Sequence, residues 1–423
     1  MSSLSVLRSR DFRLYLTGQA VSVIGTWMQR VAQVWLVASS THSGLLVGTI
    51  VAVQFLPTLV LAPLGGVIAD RFPRKRILIA TQSVAIIPAA GLFFASAAGR
   101  PSYPAILAAV LMLGIINAVD IPARQAYAMN LVGREHVAGA RALSSMVFNL
   151  ATVAGPATAG LVIADVGARP CFLLNAISYL AAVVSLWLIR AESPTAGLSA
   201  GRSWRHLRAG LSFARRDSVA GVSLIGLLAY SLLAMQPATL FPLFAQVLGK
   251  GAAGYGILTG SEGLGALIGG LLLAAAANRL TSGKVVLLSV LASVIALELV
   301  SISRIFWLSA ALLVVAGFAM TWVLLISATR IQLSTPEALQ GRVMALYAQA
   351  SPNGAGSLSS LAIGAMASGA GAPAAMAVAS AAAGMAFALL AVMKPSAFGR
   401  TLSRHETGPQ PANIPDAQPE GTS

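Results

Sequence analysis

The sequence predicts an all-α membrane protein of twelve transmembrane helices in two pseudo-symmetric six-helix halves, and three observations predict it. Of 423 residues, 57% are hydrophobic and only 10% are charged, with a mean hydropathy of +0.80. A soluble domain carries about 25% charged residues. Apolar runs near the roughly 20 residues needed to cross hydrocarbon recur twelve times along the chain. With the N-terminus in the cytoplasm, 23 of the 28 Lys and Arg residues fall in cytoplasmic segments, four fall outside, and Arg30 alone lies within a span.

The same arithmetic excludes other classes. Disorder does not fit the hydrophobicity. Cys171 is the only cysteine, so no disulfide frame exists. The four histidines, His42, His136, His206 and His405, are scattered, so neither a metal site nor a cofactor is expected. The net charge of +15 is explained by sidedness, and no nucleic-acid partner is implied. Arg8, Arg10 and Arg13 precede an apolar run as in a signal peptide, but no small-residue cleavage site follows, so the run reads as a retained first span. No nucleophile–base pair, phosphate loop or metal cluster suggests an enzyme.

In order, the expected spans are 12–38, 44–69, 77–98, 104–124, 140–164 and 170–190, then 218–247, 254–277, 285–303, 305–327, 342–368 and 372–393. The chain therefore divides into a half at 1–190, a connector at 191–216, a second half at 217–393 and a tail at 394–423. In the connector, Trp204, Leu207, Leu211 and Ala214 share one face, which predicts a basic amphipathic helix on the inner leaflet. The tail holds five prolines among polar residues and reads as disordered and cytoplasmic. The halves repeat weakly: Asp70-Arg71-Phe72 aligns with Asn278-Arg279-Leu280, Arg76 with Lys284, and Glu135 and Gly139 with Glu337 and Gly341.

Span one carries a polar stripe. Gln19, Ser22, Thr26, Gln29, Arg30 and Gln33 fall within an arc of about 100° on a helix of 3.6 residues per turn. Polar groups facing lipid are costly, so the stripe faces either neighbouring helices or a water-filled cavity; the cavity is expected. Asn117, Asp120 and Arg124 share a face of span four, where the Asp120–Arg124 i,i+4 pair serves structure and function equally well and Asn117 is expected to line the substrate cavity with the stripe. Glu262 lies within span eight and Glu298 near the outer rim of span nine. Arg30 and Glu262 have opposite charge at similar depth, and a pair between them is expected.

Between spans two and three, Gly66-Val67-Ile68-Ala69-Asp70-Arg71-Phe72-Pro73-Arg74-Lys75-Arg76 resembles the signature loop of the major facilitator superfamily, with Pro73 in place of its second glycine. Asp120-Ile121-Pro122-Ala123-Arg124-Gln125 and Trp27-Met28-Gln29-Arg30-Val31-Ala32 are similar to a bacterial exporter branch that includes enterobactin and macrolide exporters. Ala151-Thr152-Val153-Ala154-Gly155-Pro156-Ala157-Thr158-Ala159-Gly160 resembles the antiporter motif of span five, with alanines at two of its glycines.

The resemblance implies the major facilitator fold in a bacterial inner membrane, both termini cytoplasmic, working as a monomer. It implies proton-coupled efflux of an amphipathic small molecule such as a drug, macrolide or siderophore. The partners are then the substrate, protons and the lipid bilayer. Gly66, Asp70, Arg71, Arg74 and Lys75 would form a gating loop, and Gly155, Pro156 and Gly160 a hinge and packing surface. Coupling needs an acid that loads and unloads a proton; Glu262 is the first candidate and Asp120 the second. An importer or facilitator of a sugar or organic anion is the rival transporter reading. A non-transporting receptor or assembly factor is the rival of another class.

Overall fold

A computed structural model describes residues 3–99, 101–133, 136–191, 204–234, 237–276, 282–352 and 354–399. The second-half loop copy at 278–280, Glu135, the start of the connector and the tail beyond 399 lie outside the described residues.

The first half is built from α1 (Arg10–Thr41), α2 (Gly44–Arg71), α3 (Arg74–Ala97), α4 (Tyr103–Asn130), α5 (Val137–Val166) and α6 (Arg169–Leu188). Ser9 opens α1 by accepting from the Phe12 N–H at 3.3 Å, and Ser43 caps α2 from Leu46 in the same way. The turn between them needs only His42 in the left-handed region, at φ 51°. The connector forms α7 (Trp204–Arg216).

The second half contains α8 (Ser218–Leu233), α9 (Phe241–Val247), α10 (Gly251–Ala275), α11 (Gly283–Ile302) and α12 (Phe306–Ser334). It continues with α13 (Glu337–Ala350), α14 (Gly356–Met393) and the short α15 (Pro395–Gly399).

Ten helical segments are long and apolar enough to span a membrane. Two considerations bring the count to twelve. The amides and Arg30 of the polar stripe lower the hydropathy of α1. The 38 residues of α14 are two spans, turned at Gly371, whose φ of 85° only glycine adopts freely, with Pro373 just beyond. Two spans are interrupted: span seven, expected to be continuous, and span eleven, where Pro352-Asn353-Gly354 signals a break. Span seven stops at Leu233 and resumes through a 3₁₀ turn, Pro237–Thr239, into α9. Span eleven breaks between α13 and α14, beside Pro352. Prolines lack the N–H that a continuing helix needs.

Within the first half α1 packs on α5 and α6, α2 on α4, and α3 on α4 and α6. Within the second, α12 packs on α10 and α11, and α14 on α8 and α11. The halves meet through α5 on α10 and α2 on α14. The connector helix docks on α13 and α8: Gly210 faces the Arg342 backbone and Ala214 is buried with Val343 and Ile331, while Leu211 stays exposed. The side chains of Trp204 and Leu207 lie outside the described residues. At the far end, Arg330 donates to the Ala397 carbonyl, holding α15 under the second half.

Candidate transport pathway

The two contacts between halves are made of backbone against backbone. A Cβ added at Gly160 of α5 would sit 2.8 Å from the Gly256 Cα and 2.9 Å from the Ala252 carbonyl of α10. Further along, one added at Gly263 would sit 2.8 Å from the Thr152 carbonyl. At Gly44 of α2 it would meet the Gly364 carbonyl of α14 at 2.6 Å, and the Ser368 hydroxyl accepts from the Leu45 N–H at 2.8 Å. Small residues allow such approach in membranes, where packing rather than water drives association. Nearly all of these contacts lie toward the helix ends distal from the N-terminal face. Toward that face the crossing loosens: a Cβ at Gly270 would meet only the Asn149 amide, at 3.9 Å. The halves are closed distally.

On the N-terminal face, the half-buried Asp70 pairs with Arg74 at 3.8 Å, while Arg74 donates to the Asn130 side chain at 2.9 Å. Lys75 donates to the Ile189 carbonyl at 2.6 Å, and Asp11 accepts from the Arg190 and Ala191 N–H groups at 3.1 and 2.9 Å. The loop is thus tied to the point where the chain leaves α6 for the connector. Gly66 is buried and Arg71 exposed at the end of α2.

The polar stripe of α1 was expected to line a water-filled cavity. In this conformation Gln19, Ser22, Gln29 and Gln33 are buried, and the partners found for the stripe lie on α3 and α6. Ser22 donates to Gln82 at 3.0 Å, Asn175 donates to Gln29 at 2.7 Å, and the Thr26 and Tyr179 hydroxyls lie 3.2 Å apart. Of the exposed positions of α1, Arg10, Arg13, Thr17 and Val21 lie roughly opposite on a helix turning about 100° per residue, while Ser40 at the distal end does not. The physical reason is satisfaction: α6 and α3 offer amides and hydroxyls of their own. It is incomplete, since Gln19 Oε1, Gln29 Nε2 and Gln33 Nε2 find no partner.

Asp120 is 1% exposed and fully engaged. Thr81 donates to it at 2.7 Å, Gln82 at 3.1 Å, and Arg124 forms the expected i,i+4 ion pair. The Arg124 carbonyl in turn accepts from the Tyr15 hydroxyl at 3.0 Å. Asn117 is half-buried nearby, with no side-chain hydrogen bond among the described residues. Thr81, Gln82, Asn175 and Tyr179 escaped sequence reasoning, although a lone amide in an apolar span is a visible signal.

Arg30 and Glu262 do not meet here. The Arg30 guanidinium stacks over the rings of Trp27, at 5.0 Å, and Phe55, at 5.6 Å. Among the described residues it has no ion pair or hydrogen bond, and the same holds for the half-buried Glu262. Gly155 is what admits Trp27, since a Cβ there would lie 2.5 Å from the Trp27 Cβ. Helix α5 continues through Pro156 without interruption. Glu298 faces inward and accepts from Ser380 of α14 at 2.7 Å.

A family model described as transmembrane secretion effector matches residues 1–410. The chain belongs to this family of the major facilitator superfamily. As a secretion-effector family member it is a multi-pass membrane transporter. It is 29% identical over 349 residues to the enterobactin exporter EntS of Shigella boydii serotype 4 (strain Sb227), covering 82% of this chain and 83% of that protein. The EntS of Escherichia coli O1:K1 / APEC is 28% identical over the same shares. Its fold is that of the nucleoside transporter NupG, with a TM-score of 0.70 at 14% identity over 93% of this chain and 100% of that one. It is also that of a bacterial homologue of the iron transporter ferroportin in an inward-facing state, with a TM-score of 0.69 at 16% identity over 90% and 98%.

Proposed function

We propose that this transporter exports an amphipathic small molecule from the bacterial cytoplasm by alternating access, driven by inward proton flow. The observation that carries the reading is Glu262: a carboxylate within a span, without cation or hydrogen-bond partner among the described residues, is suited to take up and release a proton. The N-terminal face is cytoplasmic by its basic residues, so distal closure makes this conformation the one that loads substrate from inside. The enterobactin exporters among its relatives favour a siderophore-like substrate over a sugar.

Asp70, Arg71, Arg74 and Lys75 act as the cytoplasmic gate, which closes when the distal crossings part. Gly160 and Pro156 form one side of the crossing that must open. Asp120 holds the first half together through its four-residue network and is the lesser candidate for coupling. The protein works as a monomer in the inner membrane.

The test uses inverted vesicles with acid interiors and two probes, enterobactin and erythromycin. The parent should accumulate one of them. Glu262→Gln should abolish proton-driven accumulation while downhill exchange continues. Undiminished accumulation in that mutant would remove Glu262 as the coupling acid.

A further inference from the structure

Arg30 sits deeper than a snorkelling anchor would. Eleven residues separate it from the distal end of α1 at Thr41, roughly 16 Å along a helix rising 1.5 Å per residue. Phe55 lies eleven residues into α2 from the same face, at the same depth. The guanidinium folds back over Trp27, one turn toward the N-terminus, and so away from the distal headgroups. Counting puts it near the middle of a hydrocarbon layer about 30 Å thick, where secondary transporters hold their substrates. Glu262, eleven residues into α10, reaches the same level from the other half without meeting it.

The guanidinium carbon lies over the Trp27 and Phe55 rings, but such ring contact satisfies none of its five N–H donors. Those donors point outward from the edge of the plane, the geometry that takes a carboxylate or similar oxyanion through two parallel hydrogen bonds. Gln29 and Gln33 are turned to α6 or buried without partners and supply no negative charge. A charge left unpaired at this depth is costly, and the usual remedy is a partner. Here that partner has to arrive with the cargo. The ring of an arriving molecule would also extend the stack that Trp27 and Phe55 begin.

We infer that Arg30, framed by Trp27 and Phe55, is the recognition point for negative charge, so that the molecule carried is an aromatic organic anion and not a cationic amphiphile. The inference rests on the transport reading only for the fact of carriage, not for its direction or its coupling.

The test uses the full-length protein in lipid nanodiscs and two dyes with the same xanthene skeleton, fluorescein as anion and rhodamine 123 as cation. Fluorescein should bind at least about tenfold more tightly than rhodamine 123. Arg30→Gln should remove that preference without weakening rhodamine 123. Arg30→Lys, which keeps the charge but loses the planar fork, should fall between, and it serves if the glutamine variant does not fold. Equal binding, a preference for rhodamine 123, no binding of either dye, or a fluorescein preference that survives Arg30→Gln would each overturn the inference. Arg30-dependent binding without proton-driven accumulation in vesicles upholds the inference and sinks proton-driven export. Accumulation of fluorescein undiminished by Arg30→Gln does the reverse.

Discussion

Gly256→Ala should force the distal gate open. The added methyl carbon would lie 2.5 Å from the Pro156 carbonyl oxygen and 2.7 Å from the Gly160 Cα, against ordinary contact from 3.4 Å upward. Helices α5 and α10 must therefore part by somewhat under 1 Å, and neither neighbour is a side chain that can turn aside. Overpacking of this kind costs about 1–3 kcal/mol. The strain exists only while the distal side is closed, so it shifts the equilibrium toward distal opening by roughly 5- to 150-fold, at tenfold per 1.4 kcal/mol. Ser360 provides the readout: it is fully buried on α14 against Gly48, at the other crossing. In a Cys171→Ala background, Ser360→Cys should react slowly with an impermeant maleimide on intact cells. Adding Gly256→Ala should speed the reaction at least about fivefold, and Gly256→Val further. An unchanged rate, in a variant as abundant and stable as its parent, would mean that the two crossings do not move as one gate.

Two further outcomes follow from the first half. Asp120→Ala leaves Arg124 without its ion pair and Thr81 and Gln82 without an acceptor, at a cost of about 3–5 kcal/mol for a broken buried pair. Thermal unfolding in detergent should show a clearly lowered midpoint, and a midpoint equal to the parent's would deny the network its structural role. Asp70→Asn should slow turnover while the protein inserts and melts like the parent, because the half-buried Asp70 makes only a long 3.8 Å pair with Arg74 here, and the proposed gate would use it in the other state. Normal turnover of the purified variant would reduce the loop to a topology signal.

The spans were legible because hydrocarbon imposes a length and a composition that few other constraints imitate. The interruption of span seven was not, whereas Pro352-Asn353-Gly354 marked the one in span eleven. A span-length average absorbs the short polar break at Ala234–Leu240 into the apolar residues around it, although Pro237 and Pro242 mark where hydrogen bonding must fail. The turn at Gly371 was legible from the Gly and Pro residues around it. The stripe of α1 was legible as an arc but not as a direction. Periodicity states which residues share a face, while the neighbour on that face depends on helix packing, which span-one residues alone do not encode. Gln82 and Asn175, the amides that answer the stripe, carry the missing information on other helices.

The ionisable groups within the spans divide by what they touch. Asp120 accepts from Thr81, Gln82 and Arg124, and Arg330 is bound to the Ala397 carbonyl; these fasten one element to another within a half. Arg30 and Glu262 lie at one depth in opposite halves and have neither ion pair nor hydrogen bond among the described residues. Each such charge costs about 3 kcal/mol on insertion scales. Had the two been needed only for cohesion between halves, pairing them would have removed that cost, and the glycine-lined crossings already supply cohesion without charge. Leaving them apart keeps the cost in the empty protein, and on the readings proposed above an anion at Arg30 and a proton at Glu262 would relieve it. On those readings binding energy would be spent on the conformational change, as alternating access requires of a ligand that prefers one state.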